Sequence, residues 1–198
     1  MDNALEEAEH WLKLNEGAAK ENKCSLKKKQ VSEKNWARPS SGMLKCNVHS
    51  SWINGQCHFG GAWILRDESG KPVYHARDAF LPVMNRISAE LSCILWTIKS
   101  MWDLRVRRME LWSECGAAIG VLSNPQKWPL FRSASDQILQ SLSGFNSVCF
   151  KLSSSKANYI ARDIARSVTK EGRFNSYLAL GGPAWLQNKI EEESRVLF

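Results

Sequence analysis

The spacing of apolar residues changes partway along the chain, and this change limits the possible folds more than any other feature. Apolar and polar residues alternate over Leu44–Val48, and two mostly apolar segments follow at Gly60–Leu65 and Val73–Phe80. Alternation at a period of two is typical of a β-strand with one buried face. The turn residues at Asp67–Gly70 suit a tight hairpin connection. The first half of the domain is therefore predicted to be an antiparallel meander of three strands.

After the third strand the spacing becomes helical. A single apolar stripe through Leu91, Ile94 and Ile98 predicts a helix over Ser88–Leu104. Two further strands are predicted at Arg108–Trp112 and Ser147–Leu152, and further helices at Gly116–Leu122, Leu130–Leu142 and Asn158–Lys170. Strands that alternate with helices after a meander predict an α/β fold, with a mixed five-stranded sheet and helices on both faces.

The first 41 residues do not share this pattern. Ala4–Leu14 has apolar residues on one side only, which predicts a short helix, and the polar segment after it ends in Pro39-Ser-Ser-Gly42, which is typical of a linker. We therefore predict an N-terminal helix and linker over residues 1–41 and a folded domain over residues 42–178. Residues 179–198 are predicted to be a C-terminal tail.

The charge of the chain is concentrated in the predicted domain. The 27 lysines and arginines exceed the 20 aspartates and glutamates to give +7, and residues 42–178 carry the whole excess. A basic domain suits a polyanionic partner, because neutralised phosphates release condensed counterions. There is no run of about 18 apolar residues for a membrane span, and the first twenty residues lack the apolar segment of a secretory signal. We expect an intracellular monomer, nuclear or cytoplasmic and not secreted, that binds no membrane.

Five segments occur in an order and spacing that resemble a known family. They are LKCNVHSSW, GGAWILRDESG, ISAEL, ELWSECGAAIGVL and SSKANYIARDIA. Together they resemble the type 1 ribonuclease H (RNase H) domain, in particular the plant domains that follow the reverse transcriptase of non-LTR retroelements. The resemblance covers roughly Trp36 to Leu186. It implies an RNase H-like fold and, for the family, cleavage of RNA in an RNA/DNA hybrid with Mg²⁺ or Mn²⁺ as cofactor.

The family mechanism depends on four carboxylates that hold two divalent ions. Two ions about 4 Å apart position the attacking water and the leaving oxygen, and hard ions such as Mg²⁺ require oxygen ligands. By motif, the four family positions fall on His49, Glu90, Glu114 and Arg162, so only two acids remain. A cation about 4 Å from Arg162 would be repelled by about 4 kcal/mol at an effective dielectric constant of about 20. A pairing of Glu90 with Arg162 would instead neutralise the site without an ion.

These substitutions lead to one main expectation and two alternatives. We expect a domain that derives from an RNA/DNA hybrid ribonuclease, binds RNA/DNA hybrid or RNA, and has little or no activity. One alternative is a weak, Mn²⁺-supported nuclease in which Glu90 and Glu114 act with His49 or with Asp163, the residue after Arg162. Glu90 and Glu114 are then the metal ligands. The other alternative is a relic fold that interacts with proteins.

Four further residues are candidates for nucleic-acid contacts. Trp52 follows the first strand and could stack on a nucleotide, as aromatic side chains do in nucleic-acid grooves. Arg105, Arg107 and Arg108 precede the fourth strand and are candidates for phosphate contacts. An A-form-like hybrid would be recognised by its shape and its 2′-hydroxyl groups rather than by its sequence.

Overall fold

The computed structural model describes residues 34–195, so the predicted helix at Ala4–Leu14 lies outside the described residues. The strands are β1 (Leu44–Ser51), β2 (Phe59–Arg66), β3 (Pro72–Phe80), β4 (Arg108–Ser113), β5 (Ser147–Leu152) and β6 (Tyr177–Leu180). The helices are α1 (Arg86–Asp103), α2 (Gly116–Ser123), α3 (Arg132–Gln140), α4 (Tyr159–Glu171) and α5 (Gln187–Arg195). Short 3₁₀ turns lie at Pro125–Lys127, Pro129–Phe131 and Ala184–Leu186.

All six strands belong to one mixed sheet in the order β5-β4-β1-β2-β3-β6. β1, β2 and β3 pair antiparallel, which confirms the predicted meander. β4 pairs parallel with β1 and with β5, because a helix precedes each of β4 and β5 and returns the chain to the same end of the sheet. β6 adds one strand to the predicted number: it pairs antiparallel with β3 and crosses the predicted boundary at residue 178.

Helices cover both faces of the sheet, as predicted. The larger core lies between the sheet and α1, α2 and α3, and it contains Trp63 and Leu65 of β2. Ala62 and Ile64, which alternate with Trp63 and Leu65 along β2, point to the other face and pack with α4 and α5. Every residue of β2 is consequently buried, as expected for a strand covered on both sides. None of the helices within residues 34–195 is long and apolar enough to cross a membrane.

Two adjacent glycines let the helices approach β2 closely. A Cβ atom at Gly60 would lie 2.3 Å from the carbonyl oxygen of Ala165 in α4. A Cβ atom at Gly61 would lie 2.6 Å from Cys93 Sγ in α1. Both distances are shorter than contacts that real Cβ atoms make, so these positions require glycine if α1 and α4 are to keep their places.

A buried chain of amide groups fixes the start of α4 over β1. Asn158 Nδ2 donates to the carbonyl oxygen of Val48 at 2.8 Å, and Asn47 Nδ2 donates to Asn158 Oδ1 at 3.0 Å. Trp36 Nε1 donates in turn to Asn47 Oδ1 at 3.0 Å. All three side chains are buried, and bonds of this kind are costly to lose because the freed groups would have no water. The first turns of α4 are thus held at a defined position above β1.

Candidate functional site

Four elements bring charged side chains together at one edge of the sheet. β1 and β4 are adjacent and parallel, with Val48 opposite Ser113, so His49 and Glu114 follow at neighbouring positions. Glu90 comes from α1, and Arg162 lies on α4, one turn beyond the buried amide of Asn158. The four positions that the RNase H resemblance singled out are therefore gathered in one place. We call His49, Glu90, Glu114 and Arg162, together with Arg86, the edge cluster.

Glu90 is the most deeply buried member of the edge cluster, with only 1% of its surface exposed. Its Oε2 accepts hydrogen bonds from the backbone N–H of Ser50 at 2.9 Å and from the Ser50 hydroxyl at 2.5 Å. Its Oε1 accepts a hydrogen bond from the Ser113 hydroxyl at 2.5 Å. Both carboxylate oxygens are thus engaged by donors of the protein itself.

Glu114 is surrounded by three basic side chains. His49 Nδ1 lies 3.1 Å from Oε1, a close contact without the alignment of a good hydrogen bond. The Arg162 guanidinium donates to Oε2, and Arg86 Nη2 lies 3.6 Å from Oε1. Burial by itself would raise the pKa of the Glu114 carboxyl, but the contacts with His49 and Arg162 outweigh it and lower the pKa to about 2. Glu114 is therefore ionised, and a cation of the protein is bound to it.

This pairing corrects one expectation from the sequence. Arg162 binds Glu114 and not Glu90. Glu90 needs no guanidinium, because the hydroxyl groups of Ser50 and Ser113 already satisfy its two oxygens.

The residues present do not fit a pair of divalent ions. No three His, Cys, Asp or Glu side chains within residues 34–195 are grouped so that they could hold a metal ion. Both oxygens of Glu90 accept hydrogen bonds, and Glu114 is in contact with Arg162, whose charge would repel a metal cation at this place.

Asp163 lies beside a different partner. One helical step turns a side chain by about 100°, so Asp163 does not share the direction of Arg162. Its Oδ2 lies 3.7 Å from Lys189 Nζ of α5. The structure therefore does not bring Asp163 into contact with Glu90 or Glu114.

The candidate nucleic-acid contacts predicted from the sequence lie in two places. Trp52 is half-buried, and its indole N–H donates to the carbonyl oxygen of Val83 at 2.9 Å. Arg105, Arg107 and Arg108 lie at the start of β4, whereas Glu114 follows its end, a separation of about 20 Å along the strand.

The three arginines at the start of β4 differ in what they contact. The Arg107 guanidinium donates to the carbonyl oxygen of Trp102 at 2.9 Å and stacks 3.8 Å from the centre of the Trp102 ring. Arg105 and Arg108 are exposed. Phosphate binding at these arginines stays a prediction.

Three members of the site were missed by the sequence analysis: Arg86, Ser50 and Ser113. Arg86 lies four residues before Glu90 and shares its helical face, but the predicted helix began at Ser88, whereas α1 begins at Arg86. The two serines carried no comparable signal, since serine is common at strand ends and its role here depends on the burial of Glu90.

Comparison with known proteins shows which family and which solved structures this chain is similar to. A family model described as reverse transcriptase-like matches residues 47–168. RNase H1 from the halophilic archaeon Halobacterium salinarum NRC-1 superposes with a TM-score of 0.60 at 16% identity, over 66% of this chain and 99% of that one. LC11-RNase H1, isolated from compost and solved in complex with an RNA/DNA hybrid, gives 0.58 at 10% identity, over 65% and 98%. At such identities the likeness shows the fold alone.

Two further matches differ in extent. LC9-RNase H1, a type 1 RNase H with the type 2 active-site motif, superposes with a TM-score of 0.60 at 9% identity, over 80% of this chain and 87% of that one. The putative protein phosphatase 2C-like protein 45 of Arabidopsis thaliana is 70% identical over 44 residues, which are 22% of this chain and 18% of that protein. The chain therefore spans less than a fifth of that relative, and the likeness is local.

Proposed function

The chain belongs to the reverse transcriptase-like family and folds as an RNase H-like domain, and from this premise we propose that it binds RNA/DNA hybrid, or RNA, without cleaving it efficiently. The observation that carries this proposal is the bond between Arg162 and Glu114 at the edge cluster. Derivation from the RNase H of a plant retroelement, which the sequence motifs indicate, is part of the same proposal.

The loss of cleavage follows from the state of the two remaining carboxylates. A two-metal mechanism needs carboxylate oxygens that are free to bind the ions. Glu90 accepts three hydrogen bonds from Ser50 and Ser113, and Glu114 is bound to Arg162. Three of the roughly four acceptor sites of Glu90 are thus occupied. A metal ion at Glu114 would have to displace Arg162 or remain beside a guanidinium that carries a permanent positive charge.

Retention of nucleic-acid binding is supported by charge and by fold. Residues 42–178 carry the whole net charge of +7, which favours a polyanion. LC11-RNase H1, a protein of the same fold, forms a complex with an RNA/DNA hybrid. Recognition of such a duplex by its backbone and 2′-hydroxyl groups does not require the metal chemistry.

The proposal is tested by measuring the binding of the purified protein to labelled RNA/DNA hybrid, duplex RNA and duplex DNA by fluorescence anisotropy over a series of salt concentrations. We expect the hybrid or the duplex RNA to bind more tightly than duplex DNA of the same sequence. The logarithm of the binding constant should fall linearly with the logarithm of the salt concentration. Absence of salt-dependent binding to all three duplexes would overturn the proposal and favour a protein-interaction role.

A further inference from the structure

Two guanidinium groups converge on one carboxylate in the edge cluster. Arg162 approaches Glu114 Oε2 from α4, and Arg86 approaches Glu114 Oε1 from the first residue of α1. The exposed fractions of the side chains are 56% for Arg86, 18% for Arg162 and 7% for Glu114. The carboxylate therefore lies beneath two cations, of which Arg86 is exposed and Arg162 is partly exposed.

The two cations share one paired carboxylate. Within residues 34–195 both guanidinium groups pair with Glu114, whereas the Glu90 carboxylate accepts from Ser50 and Ser113 and forms no ion pair with either arginine. A guanidinium carries five N–H donors. Among residues 34–195, the side-chain hydrogen bonds and ion pairs of Arg86 and Arg162 are formed with Glu114 alone. Most of their donors therefore remain for a ligand.

We propose that Arg86 and Arg162 form a phosphate-binding site that contacts the nucleic-acid backbone directly, without a divalent ion. The proposal rests on the nucleic-acid binding proposed above and names the residues and chemistry by which the edge cluster takes part in it. Guanidinium groups suit this ligand, because their paired N–H donors match two oxygens of a phosphate. Glu114 holds the two groups near one another before the ligand arrives, which reduces the entropy lost on binding.

The test measures hybrid binding in EDTA and in Mg²⁺ for the wild type, Arg162→Ala and Arg86→Ala. The wild type should bind in EDTA at least as tightly as in Mg²⁺, which competes for the phosphates as a counterion. Each variant should lose about five- to tenfold in affinity. The slope of the logarithm of the binding constant against the logarithm of the salt concentration should decrease in magnitude by about 1, as expected for the loss of one phosphate contact. The matched control is Arg132→Ala, an exposed arginine of α3 that pairs with Asp136 and should bind like the wild type.

A second variant separates a binding role of the guanidinium groups from a merely structural one. Glu114→Gln removes the negative charge that competes for Arg86 and Arg162, while its amide oxygen can still accept from the guanidinium groups and keep them near one another, so hybrid affinity should rise by about threefold. A fall in affinity would contradict the proposal. If Arg162→Ala does not fold, Arg162→Ala combined with Glu114→Gln removes both charges of the pair, and this double variant should bind less tightly than Glu114→Gln alone.

The outcomes distinguish this inference from the proposed function. If the wild type binds none of the duplexes, the proposed function itself fails. If the wild type binds hybrid but Arg86→Ala and Arg162→Ala bind equally well, nucleic-acid binding stands and the phosphate site is wrong. Wild-type binding that requires Mg²⁺ would also overturn the phosphate site, because the guanidinium groups would then not replace the ions.

Discussion

At the residue scale, the chemistry of the edge cluster depends on which side chains hold the two carboxylates. Arg162 neutralises Glu114, while neutral hydroxyl and amide donors satisfy Glu90. A charge-assisted bond between guanidinium and carboxylate is stronger than a bond between neutral groups. The edge cluster is therefore stable without an added ion. Glu114 and Glu90 each give a prediction that can be measured separately.

The first prediction concerns the stability of the protein in acid. The folded-state pKa of Glu114, about 2, lies below the ordinary value of about 4.3 for glutamate, so the ionised carboxylate stabilises the folded state. This contribution, on the order of 3 kcal/mol, is fully present above about pH 5 and is lost as the pH falls towards 2. Urea unfolding of the wild type and of Glu114→Gln, each followed from about pH 7 to about pH 2.5, measures this contribution. Equal losses of stability in the two proteins would show that Glu114 does not contribute.

The second prediction concerns the buried carboxylate of Glu90. Glu90→Ala leaves the N–H of Ser50 and the hydroxyls of Ser50 and Ser113 without their acceptor in a buried place, which should cost about 2–4 kcal/mol of folding free energy. The control is Glu171→Ala, which removes an exposed ion pair with Arg173 and should cost less than about 1 kcal/mol. Chemical denaturation checks both. A cost for Glu90→Ala no larger than that of the control would be inconsistent with the hydrogen bonds described.

Sequence reasoning at this scale identified positions better than partners. The resemblance to the RNase H motifs singled out His49, Glu90, Glu114 and Arg162, which the structure places together. The motifs could not show that Arg162 pairs with Glu114 and not with Glu90. That pairing depends on the hydroxyl groups of Ser50 and Ser113, from two different strands, which already donate to the oxygens of Glu90. Arg86 was missed because the predicted helix began at Ser88, two residues after the observed start of α1.

At the scale of elements, the position of α4 over β1 decides where Arg162 lies. The buried amide chain through Asn47 and Asn158 fixes the first turn of the helix, and the backbone N–H of Arg162 donates to the carbonyl oxygen of Asn158 at 3.1 Å. Gly60 allows the later turns to approach β2. The packing of the whole helix against the sheet therefore places Arg162 beside Glu114.

This dependence gives a prediction for the two asparagines. Asn47→Ala and Asn158→Ala should each destabilise the fold by about 1–3 kcal/mol, since each leaves buried polar groups without partners. In a double-mutant cycle the two changes should be coupled by at least about 0.5 kcal/mol. Asn146→Ala, at an exposed position, is the control and should have little effect. Additive effects of the two buried changes would contradict the network.

Elements with a long, regular apolar pattern were predictable, and those without one were not. α1 and α4 both present an apolar stripe, and their helical spacing placed them closely. β6 has four residues and α5 is mostly polar, with Ile190 as its deeply buried apolar residue. Such short or polar segments acquire their structure from pairing with β3 and from packing on the opposite face, which local spacing cannot show.

At the scale of the whole molecule, the RNase H-like domain continues past the family match. That match ends at residue 168, yet β6 extends the sheet, and Leu186 and Ile190 pack with Ala62 and Ile64 in the second core. Arg66, buried at the end of β2, pairs with Glu193 of α5 at 2.7 Å. The C-terminal segment is therefore part of the folded unit that supports α4.

The pairing of Arg66 with Glu193 predicts how strongly this segment contributes. Glu193→Ala removes a carboxylate from a buried arginine and should cost about 1–3 kcal/mol, which corresponds to a fall in Tm of several degrees. Glu192→Ala, at the preceding exposed position of α5, should leave Tm nearly unchanged. Thermal unfolding by circular dichroism compares the two variants, and equal Tm values would show that the segment is not docked through this pair.

The central claim is that this RNase H-like domain holds hybrid without cleaving it, and one measurement tests it most directly. Labelled RNA/DNA hybrid is incubated with an excess of the purified protein, first in Mg²⁺ and then in Mn²⁺, and part of each sample is run on a native gel and part on a denaturing gel. We predict a shifted complex on the native gel and intact RNA on the denaturing gel with either metal. Shortened RNA that is absent with Glu90→Gln would show that the edge cluster still assembles a working metal site, and it would contradict the account.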